Sequence, residues 1–240
     1  MGTLQKVASA VVALAAVCCL ASCGDANRNA DEWLSLSISG LAGMDAFAYS
    51  GQTVTTLPSG ISYSPRKFSG QVVDHRMAKQ SGEQESDAKP TNLLYAMQNM
   101  NKQVSFGKQP KDPSQVSLIV KISPEDALNI WKNDLTQQME QISLNEPPAD
   151  APYKAAWDKE LNRSKKALNE QLSTLKVNSE YEVIVDRDRM LPIMLHETSK
   201  AAYTKKGKTI EENRNTDITF SSFSSANSLA HKPRLIRSAK

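Results

Sequence analysis

The side chains that could carry out acid–base or covalent chemistry in this chain are few and widely separated. Its three histidines are His75, His196 and His231, and no two of them have the spacing of zinc ligands. The pair Asp74-His75 could belong to a catalytic triad, but no G-x-S-x-G elbow or other nucleophile motif accompanies it. The sequence therefore predicts no metal site and no catalytic residue, and a hydrolase is only the third alternative.

Acidic residues and glycines also lack the pattern of a known ligand site. Asp186 and Asp188 form D-x-D, but the glycine and the terminal glutamate of a calcium loop do not follow, so we interpret the pair as part of a turn. The 10 glycines are scattered and form no phosphate-binding loop. The formal net charge of +3 is small. We therefore expect no cofactor and no nucleic acid partner.

The cysteines direct attention to the N-terminus. They are Cys18, Cys19 and Cys23, and none follows. A lysine precedes the apolar run Val7–Leu20, which is the layout of a secretory signal peptide, and this run is shorter than the about 20 residues that cross a membrane. Removal of a signal peptide over residues 1–22 would leave Cys23 alone, so we expect no internal disulfide in the mature chain.

The apolar run ends in Leu20-Ala21-Ser22-Cys23, which resembles the bacterial lipobox. The resemblance implies that a diacylglycerol is joined to the Cys23 thiol and that the peptide bond before it is cut. It further implies a lipid-anchored protein on the extracytoplasmic face of a bacterial membrane. Two alternatives remain open, a secreted protein cleaved near Ala21 and an uncleaved anchor.

The remaining chain divides into three parts. We interpret residues 23–32 as the lipidated N-terminus with a short tether, and residues 33–223 as a single domain. Residues 224–240 form a tail that is rich in serine and then basic, with Lys232, Arg234, Arg237 and Lys240 and no acidic residue. The tail is either disordered or an electrostatic contact with anionic lipid.

Hydrophobic periodicity predicts strands at both ends of the domain and helices in its middle. Alternation predicts strands over 44–56, 67–77, 115–122, 180–186, 190–196 and 216–223. The polar residues 78–90 are expected to form a loop. Helical spacing predicts helices over 93–100, from Ser123-Pro124 to about residue 145, and over about 152–175. The last two are amphipathic and are joined by Pro147-Pro148, so we expect a helical hairpin in an α+β domain with a largely antiparallel sheet.

One segment resembles the C-terminal half of LolA-like lipoprotein carriers. It is Y-E-V-I-V-D-R-D-R-M-L-P-I-M-L-H-E-T, residues 181–198, with a strand ending at Asp186, a charged turn at 187–189 and the strand residues Leu191-Pro192-Ile193. That superfamily includes mycobacterial lipid-carrying lipoproteins and LolA-like lipoproteins of Gram-positive envelopes and spores. The resemblance covers about residues 40–223. It implies an incomplete antiparallel β-barrel, or a strongly curved sheet, covered by the amphipathic helical pair.

The same resemblance sets the functional expectation. It implies a membrane-anchored envelope lipoprotein that binds a lipid, an acyl chain or an acylated protein in a cavity between sheet and helices. LolA itself is a soluble shuttle, whereas Cys23 would tether this chain. The alternative is a structural or adaptor lipoprotein that holds another envelope or spore protein and has no small-molecule ligand. Cys23 is the only site residue that the sequence identifies, since it does not indicate which residues would bind the ligand.

Overall fold

The computed structural model of the chain describes residues 28–74, 76–82 and 90–225, and for residues 76–82, 90 and 91 it describes the backbone alone. Within these ranges the chain forms four helices and eight strands. In chain order they are α1 (Ala30–Ala42), β1 (Ala46–Thr56), β2 (Arg66–Val73), β3 (Arg76–Gly82), α2 (Pro90–Asn99), β4 (Lys102–Phe106), β5 (Gln115–Ile122), α3 (Pro124–Leu144), α4 (Lys154–Thr174), β6 (Lys176–Asp186), β7 (Leu191–Lys205) and β8 (Lys208–Ser224).

The strands form one antiparallel sheet in the order β3-β2-β1-β8-β7-β6-β5-β4. β3 and β4 are its two edges, so the sheet is not closed. β8, the last strand, pairs with β1 on one side and with β7 on the other. It thereby joins the three strands β1–β3 to the four strands β4–β7. The predicted α+β class with an antiparallel sheet is therefore confirmed.

Alternation along the strands gives the sheet one apolar face and one polar face. In β6 the buried side chains are those of Val177, Ser179, Tyr181, Val183 and Val185. The intervening residues are half-buried or exposed. All four helices are connected to the apolar face through one buried core, to which α1, α2 and α3 contribute Trp33, Leu94 and Trp131.

Helix α1 is the most deeply buried helix of the described part of the chain. Asn29 caps it, because its side chain accepts the backbone N–H of Glu32 while the Glu32 carboxylate accepts that of Asn29. Its apolar stripe consists of Trp33, Leu34, Ile38 and Leu41, all buried. At Gly40 the helix passes so close to the turn between β6 and β7 that a Cβ there would overlap the Met190 carbonyl oxygen. Close packing therefore requires glycine at this position.

Helices α3 and α4 are held less deeply. α3 begins where the sequence predicts, with Ser123 accepting the Asp126 backbone N–H and Pro124 in the first turn. Only Ala127 and Trp131 of α3 are fully buried, and no residue of α4 is. α3 packs on β6 and α4 on β7.

The structure corrects several predicted boundaries. Residues 67–77 are not one strand, because Asp74, with φ of 50°, makes a turn between β2 and β3. β3 reaches Gly82 and so occupies part of the predicted loop 78–90. β4 was not predicted, and α1 begins at Ala30, inside the segment interpreted as a tether. β7 and β8 extend well beyond residues 190–196 and 216–223, because their polar halves pair with each other as far as Lys205 and Lys208.

No helix among the described residues is both long enough and apolar enough to span a membrane. Cys23, the signal-peptide residues, His75 and the basic tail lie outside the described ranges.

Candidate functional site

An ionic cluster of one buried and two half-buried charged side chains lies on the helix-covered face. Arg214 of β8 donates from Nη2 to Glu197 Oε1 of β7 at 2.9 Å and faces Asp134 of α3 from Nη1 at 3.5 Å. Glu197 Oε1 also accepts the Ser199 hydroxyl at 2.6 Å. Ser199 and Ser179, both buried, are 2.6 Å apart between their hydroxyl oxygens. One guanidinium therefore lies between two carboxylates, one from the sheet and one from the helical pair.

Two aromatic side chains, Trp131 and Tyr181, interact with this cluster. The Arg214 guanidinium carbon lies 4.1 Å from the ring centre of Trp131 on α3, which is a stacked cation–π contact. Burial disfavours the charged guanidinium, but Glu197 and then Asp134 outweigh it and raise the pKa of Arg214, which stays protonated. Burial, followed by the charge of Glu197, raises the pKa of Tyr181. The cluster thus carries one positive and two negative charges.

Three nitrogen donors on this side of the sheet are buried without an acceptor in the described part of the chain. They are Arg214 Nε, Trp131 Nε1 and Trp157 Nε1. The first two belong to the stacked pair, and the third belongs to α4. A buried donor without a partner costs about 1–3 kcal/mol. An oxygen acceptor supplied from outside the protein would satisfy such a donor.

Between Arg214 and the turn joining β7 to β8, the sheet residues Tyr203, Ile210 and Glu212 are half-buried, although Ala201 is buried. Thr53 and Thr55 of β1 pair with Thr216 and Arg214 of β8, so their side chains share the helix-covered face. Further along β7, the Tyr203 hydroxyl donates to Glu212 Oε1 of β8 at 2.6 Å. Burial, and then this hydrogen bond, raises the pKa of Tyr203. The ionic cluster therefore borders a partly covered surface that carries polar groups, and it is not surrounded by packed core on that side.

The apolar stripes of the helical pair, α3 and α4, are likewise only partly covered. On α4 the half-buried members are Trp157, Leu161, Leu168 and Leu172. On α3, Leu135 and Met139 are half-buried, and Ile142 and Leu144 are exposed. In α1, by contrast, all four large apolar residues of the stripe are buried. The helix-covered face thus has a tightly packed part beneath α1 and a more open part beneath α3 and α4.

Of the residues first considered for chemistry, those that the structure describes do not come together. His196 lies on the other face, where Nδ1 is 2.6 Å from Asp217 Oδ1 and Nε2 is 3.2 Å from the Thr198 hydroxyl. The order Asp217–His196–Thr198 resembles a catalytic triad, but it lies on an exposed part of the sheet. The neighbouring backbone amides belong to the hydrogen-bonded ladder between β7 and β8. An oxyanion would find no free pair of donors there.

Asp186 and Asp188 lie at the turn between β6 and β7, as predicted. Asp186 accepts the backbone N–H and the Nε–H of Arg189 at 2.9 and 2.8 Å. Its pKa is lowered, because these hydrogen bonds outweigh the opposing effect of burial. Among the described residues no group of three or more His, Cys, Asp or Glu could hold a metal ion.

Sequence reasoning did not identify Arg214, Glu197 or Asp134, although the signal was present. Alternation in the strand predicted over 216–223 puts Ile218 and Phe220 on one face, and stepping back along β8 by twos leads through Thr216 to Arg214. A charged residue at an inward position of a strand needs a charged partner. The extended alternation therefore predicts a buried ion pair.

The chain matches no protein-family model. A search of curated proteins likewise finds no match for it.

Proposed function

We propose that this protein is a membrane-anchored lipoprotein of the bacterial envelope that binds an apolar ligand, a lipid or an acyl chain, between its sheet and the helical pair α3–α4. One observation carries the proposal. α4 has 21 residues and an apolar stripe, yet none of its residues is fully buried, and the sheet residues Tyr203, Ile210 and Glu212 near the β7–β8 turn are half-buried as well. An apolar chain inserted there would cover both surfaces, at about 25 cal/mol per Å² of apolar area removed from water.

The wider architecture is compatible with this site. The open antiparallel sheet carries its helices on one face, and we infer a strongly curved, incomplete barrel with the amphipathic pair as its cover. Pockets for small molecules commonly lie between layers of this kind and combine apolar walls with a few polar groups. Here the polar groups are those of the Arg214 cluster.

That cluster restricts the chemistry of the ligand. Arg214 Nε and Trp131 Nε1 are buried donors for which the described residues supply no acceptor, so a ligand with a carbonyl oxygen fits better than a plain hydrocarbon. Glu197 and Asp134 already face the guanidinium, and a free carboxylate would add a third negative charge. We therefore favour an acyl ester or amide as the ligand.

Anchoring is the second part of the proposal. The described domain begins five positions after Cys23, so acylation of that thiol would hold the domain close to the bilayer. Cells fed a labelled fatty acid should incorporate label into the wild-type protein and not into Cys23→Ala. An unlabelled wild type would contradict the anchor and leave the ligand site untested, so the two parts are separable.

The three tryptophans allow a direct test of the ligand site. Trp131 and Trp157 lie on the helical pair, whereas Trp33 lies on α1. A brominated acyl ester, which quenches indole fluorescence on contact, should quench the Trp33→Phe variant. It should leave the Trp131→Phe/Trp157→Phe double variant nearly unquenched. Equal quenching of both would place the ligand elsewhere or make the contact non-specific.

An adaptor that holds another envelope or spore protein is the second candidate, and one observation favours it. Large apolar side chains are exposed at Leu144 (75%), Ile61 (60%), Tyr153 (59%) and Tyr63 (55%). Such side chains are typical of protein contacts when they form a patch. Cross-linking from Leu144 and Ile61 in intact membranes would recover one partner if this candidate is right, while the quenching experiment would then fail.

A further inference from the structure

We propose that one end of the sheet, formed by the loop joining β1 to β2 and the turn joining β7 to β8, docks onto an anionic lipid bilayer. The docking surface consists of Ile61 and Tyr63 on the loop and Lys205, Lys206 and Lys208 on the turn. In the docked state the two loop side chains enter the interfacial layer and the three ammonium groups contact headgroup phosphates. The inference depends neither on the ligand site nor on the proposed lipid anchor.

The apolar half of the docking surface lies on a tight loop. Residues 57–65 contain no charged residue, and Ile61 and Tyr63 are 60% and 55% exposed. The loop folds back on itself, because the Leu57 N–H donates to the Ile61 carbonyl at 2.8 Å. The Tyr63 N–H donates to the Thr55 carbonyl at 2.9 Å. Backbone hydrogen bonds therefore hold two large side chains in place although more than half of each faces water.

The basic half is the turn that joins β7 to β8. Lys205 and Lys208 are directly opposite each other in the ladder, and Lys206 lies between them with φ of 51°. All three are exposed. In the described part of the chain no carboxylate forms an ion pair with any of them. Like charges directly opposite in a sheet repel each other, and a bound anion would relieve this repulsion.

The loop and the turn lie side by side. Thr56, the last residue of β1, pairs with the fifth residue after Lys208, so the loop that follows it runs along the first part of β8. Burial, then Glu212 and lastly Tyr63 raise the pKa of Tyr203 on β7. The two phenol groups are therefore near each other, and the docking surface is continuous from loop to turn.

Both halves point to the helix-covered side of the sheet. The buried residues of β7 alternate as far as Ala201, and Lys205, four residues further, has the same orientation. Its partner Lys208 shares that orientation. Tyr63 shares it too, because it lies opposite Thr55 in the folded loop. The docking surface therefore adjoins the half-buried part of this face.

The size and the charge of this surface fit a bilayer better than a protein partner. Two exposed side chains provide far less than the about 800 Å² that each partner buries in a stable protein interface. A bilayer requires less, because a few apolar side chains in the interface and several basic residues near the headgroups add their effects. Tyrosine is moreover a typical residue of the membrane–water interface.

The docking surface lies far from the point where the chain enters the domain. Arg28 donates from Nη1 to the Met190 sulfur at 3.8 Å, next to the turn between β6 and β7. The 15 residues of β7 span roughly 50 Å from that turn to the docking surface. A domain anchored through Cys23 therefore docks on the same bilayer with its strands along the membrane plane. This orientation, unlike the docking surface itself, rests on the proposed anchor.

Flotation with vesicles tests the docking surface. The test uses the unlipidated chain from residue 24 onward and vesicles of phosphatidylcholine, either alone or with about 30% phosphatidylglycerol. We expect flotation with the anionic vesicles, little with the neutral ones, and release at high salt. Each basic residue near such a surface strengthens binding about fivefold, so Lys205→Gln/Lys206→Asn/Lys208→Gln should weaken it roughly 100-fold. Asparagine is used at the middle position because it tolerates positive φ.

The matched variant replaces Lys159, Lys165 and Lys166 with glutamine. These lysines are exposed on α4, and their removal changes the net charge equally. The matched variant should bind within a few-fold of the wild type. Equal weakening of the two triple variants would mean that net charge alone attracts the protein. Wild-type-like binding by the turn variant, or a wild type that does not float, would likewise overturn the proposal.

A fluorescent reporter tests whether the loop enters the bilayer. From residue 24 onward the chain has no cysteine, so Ile61→Cys supplies a single thiol for a polarity-sensitive dye. The dye should brighten and shift to the blue with anionic vesicles, whereas on Asp188→Cys, at the opposite end of the sheet, it should not change. An unchanged dye on the loop, or the same change at both positions, would contradict docking through this surface. The quenching experiment on the ligand site is independent of these results, because it can be run without vesicles.

Discussion

Replacement of Arg214 by methionine tests the ionic cluster most directly. Methionine keeps much of the apolar stem and removes the charge. Glu197, which is 5% exposed, would then keep the Ser199 hydroxyl as a donor but lose its cation. Breaking a buried ion pair from one side costs about 3–5 kcal/mol, and the lost stacking on Trp131 adds to it. Because Arg214 is not completely enclosed, we expect a loss near the lower value, about 3 kcal/mol.

The exposed pair Lys121–Glu180 provides the matched control. These residues lie on the polar face, 3.2 Å apart, with side chains 61% and 49% exposed. Exposed ion pairs contribute about 0–1 kcal/mol, so Lys121→Met should change the free energy of unfolding by less than about 1 kcal/mol. Urea unfolding at pH 7, followed by circular dichroism, measures both variants, and an unchanged m value shows that the comparison is valid.

A double-mutant cycle then separates pairing from packing. Glu197→Gln in the Arg214→Met background removes the uncompensated charge, so the double variant should be more stable than the sum of the single losses predicts, by about 1–3 kcal/mol. The reasoning is refuted if Arg214→Met costs no more than Lys121→Met. It is also refuted if the two single losses at the buried pair simply add.

Two further predictions concern the turn between β6 and β7 and its neighbour α1. Gly40→Ala should destabilise the protein by about 1–3 kcal/mol through overlap with backbone, although alanine normally favours a helix by about 1 kcal/mol relative to glycine. The control is Gly43→Ala, whose added Cβ makes ordinary contacts and which should be neutral or slightly stabilising. Thermal unfolding of the Gly40→Ala variant at or above the wild-type temperature would contradict the packing described. Asp186→Asn should cost about 1 kcal/mol at pH 7, since the carboxylate loses its charged hydrogen bonds with Arg189. The folded-state pKa of Asp186 lies below its ordinary value of 3.8, so this stabilisation is complete above that pH and is lost as the pH falls through the folded pKa; a gap between wild type and variant that persists in strong acid would show that the carboxylate charge is not its source.

The elements that the sequence predicts well are those with local signals. β5 and the start of α3 follow from clean alternation, then Ser123 as cap and Pro124 in the first turn. These residues decide their own backbone conformation. The turn between β7 and β8 is equally local, since Lys206 and Gly207 adopt positive φ.

The elements that were missed depend on pairing with distant strands. β3 is an edge strand of polar sequence that pairs with β2 through its backbone, and such pairing requires no apolar alternation. The halves of β7 and β8 next to the turn that joins them extend for the same reason. α1 is different, because its capping residues Asn29 and Glu32 and its apolar stripe are visible in the sequence. The small and polar residues 24–31 instead indicated a tether over 23–32, which took in the two capping residues, whereas the stripe falls inside the predicted domain.

The candidate site was only partly predictable. The amphipathic stripe containing Trp131 was recognised from its spacing, whereas Arg214 and Glu197 come together only when β8 lies beside β7. That neighbour relation is a property of topology. A sequence pattern can indicate that a charge points inward, but the register decides which carboxylate meets it.

Native mass spectrometry of the chain from residue 24 onward, secreted without its anchor and purified without detergent, tests the central claim most directly. Our account predicts a co-purifying mass that is released on mild activation and is identified as an acyl ester or amide. Leu168→Trp, which fills space on the half-buried side of α4, should lose this mass, whereas Lys165→Trp on the exposed side should retain it. A clean unliganded mass that acyl lipids do not change would contradict ligand binding and favour the adaptor.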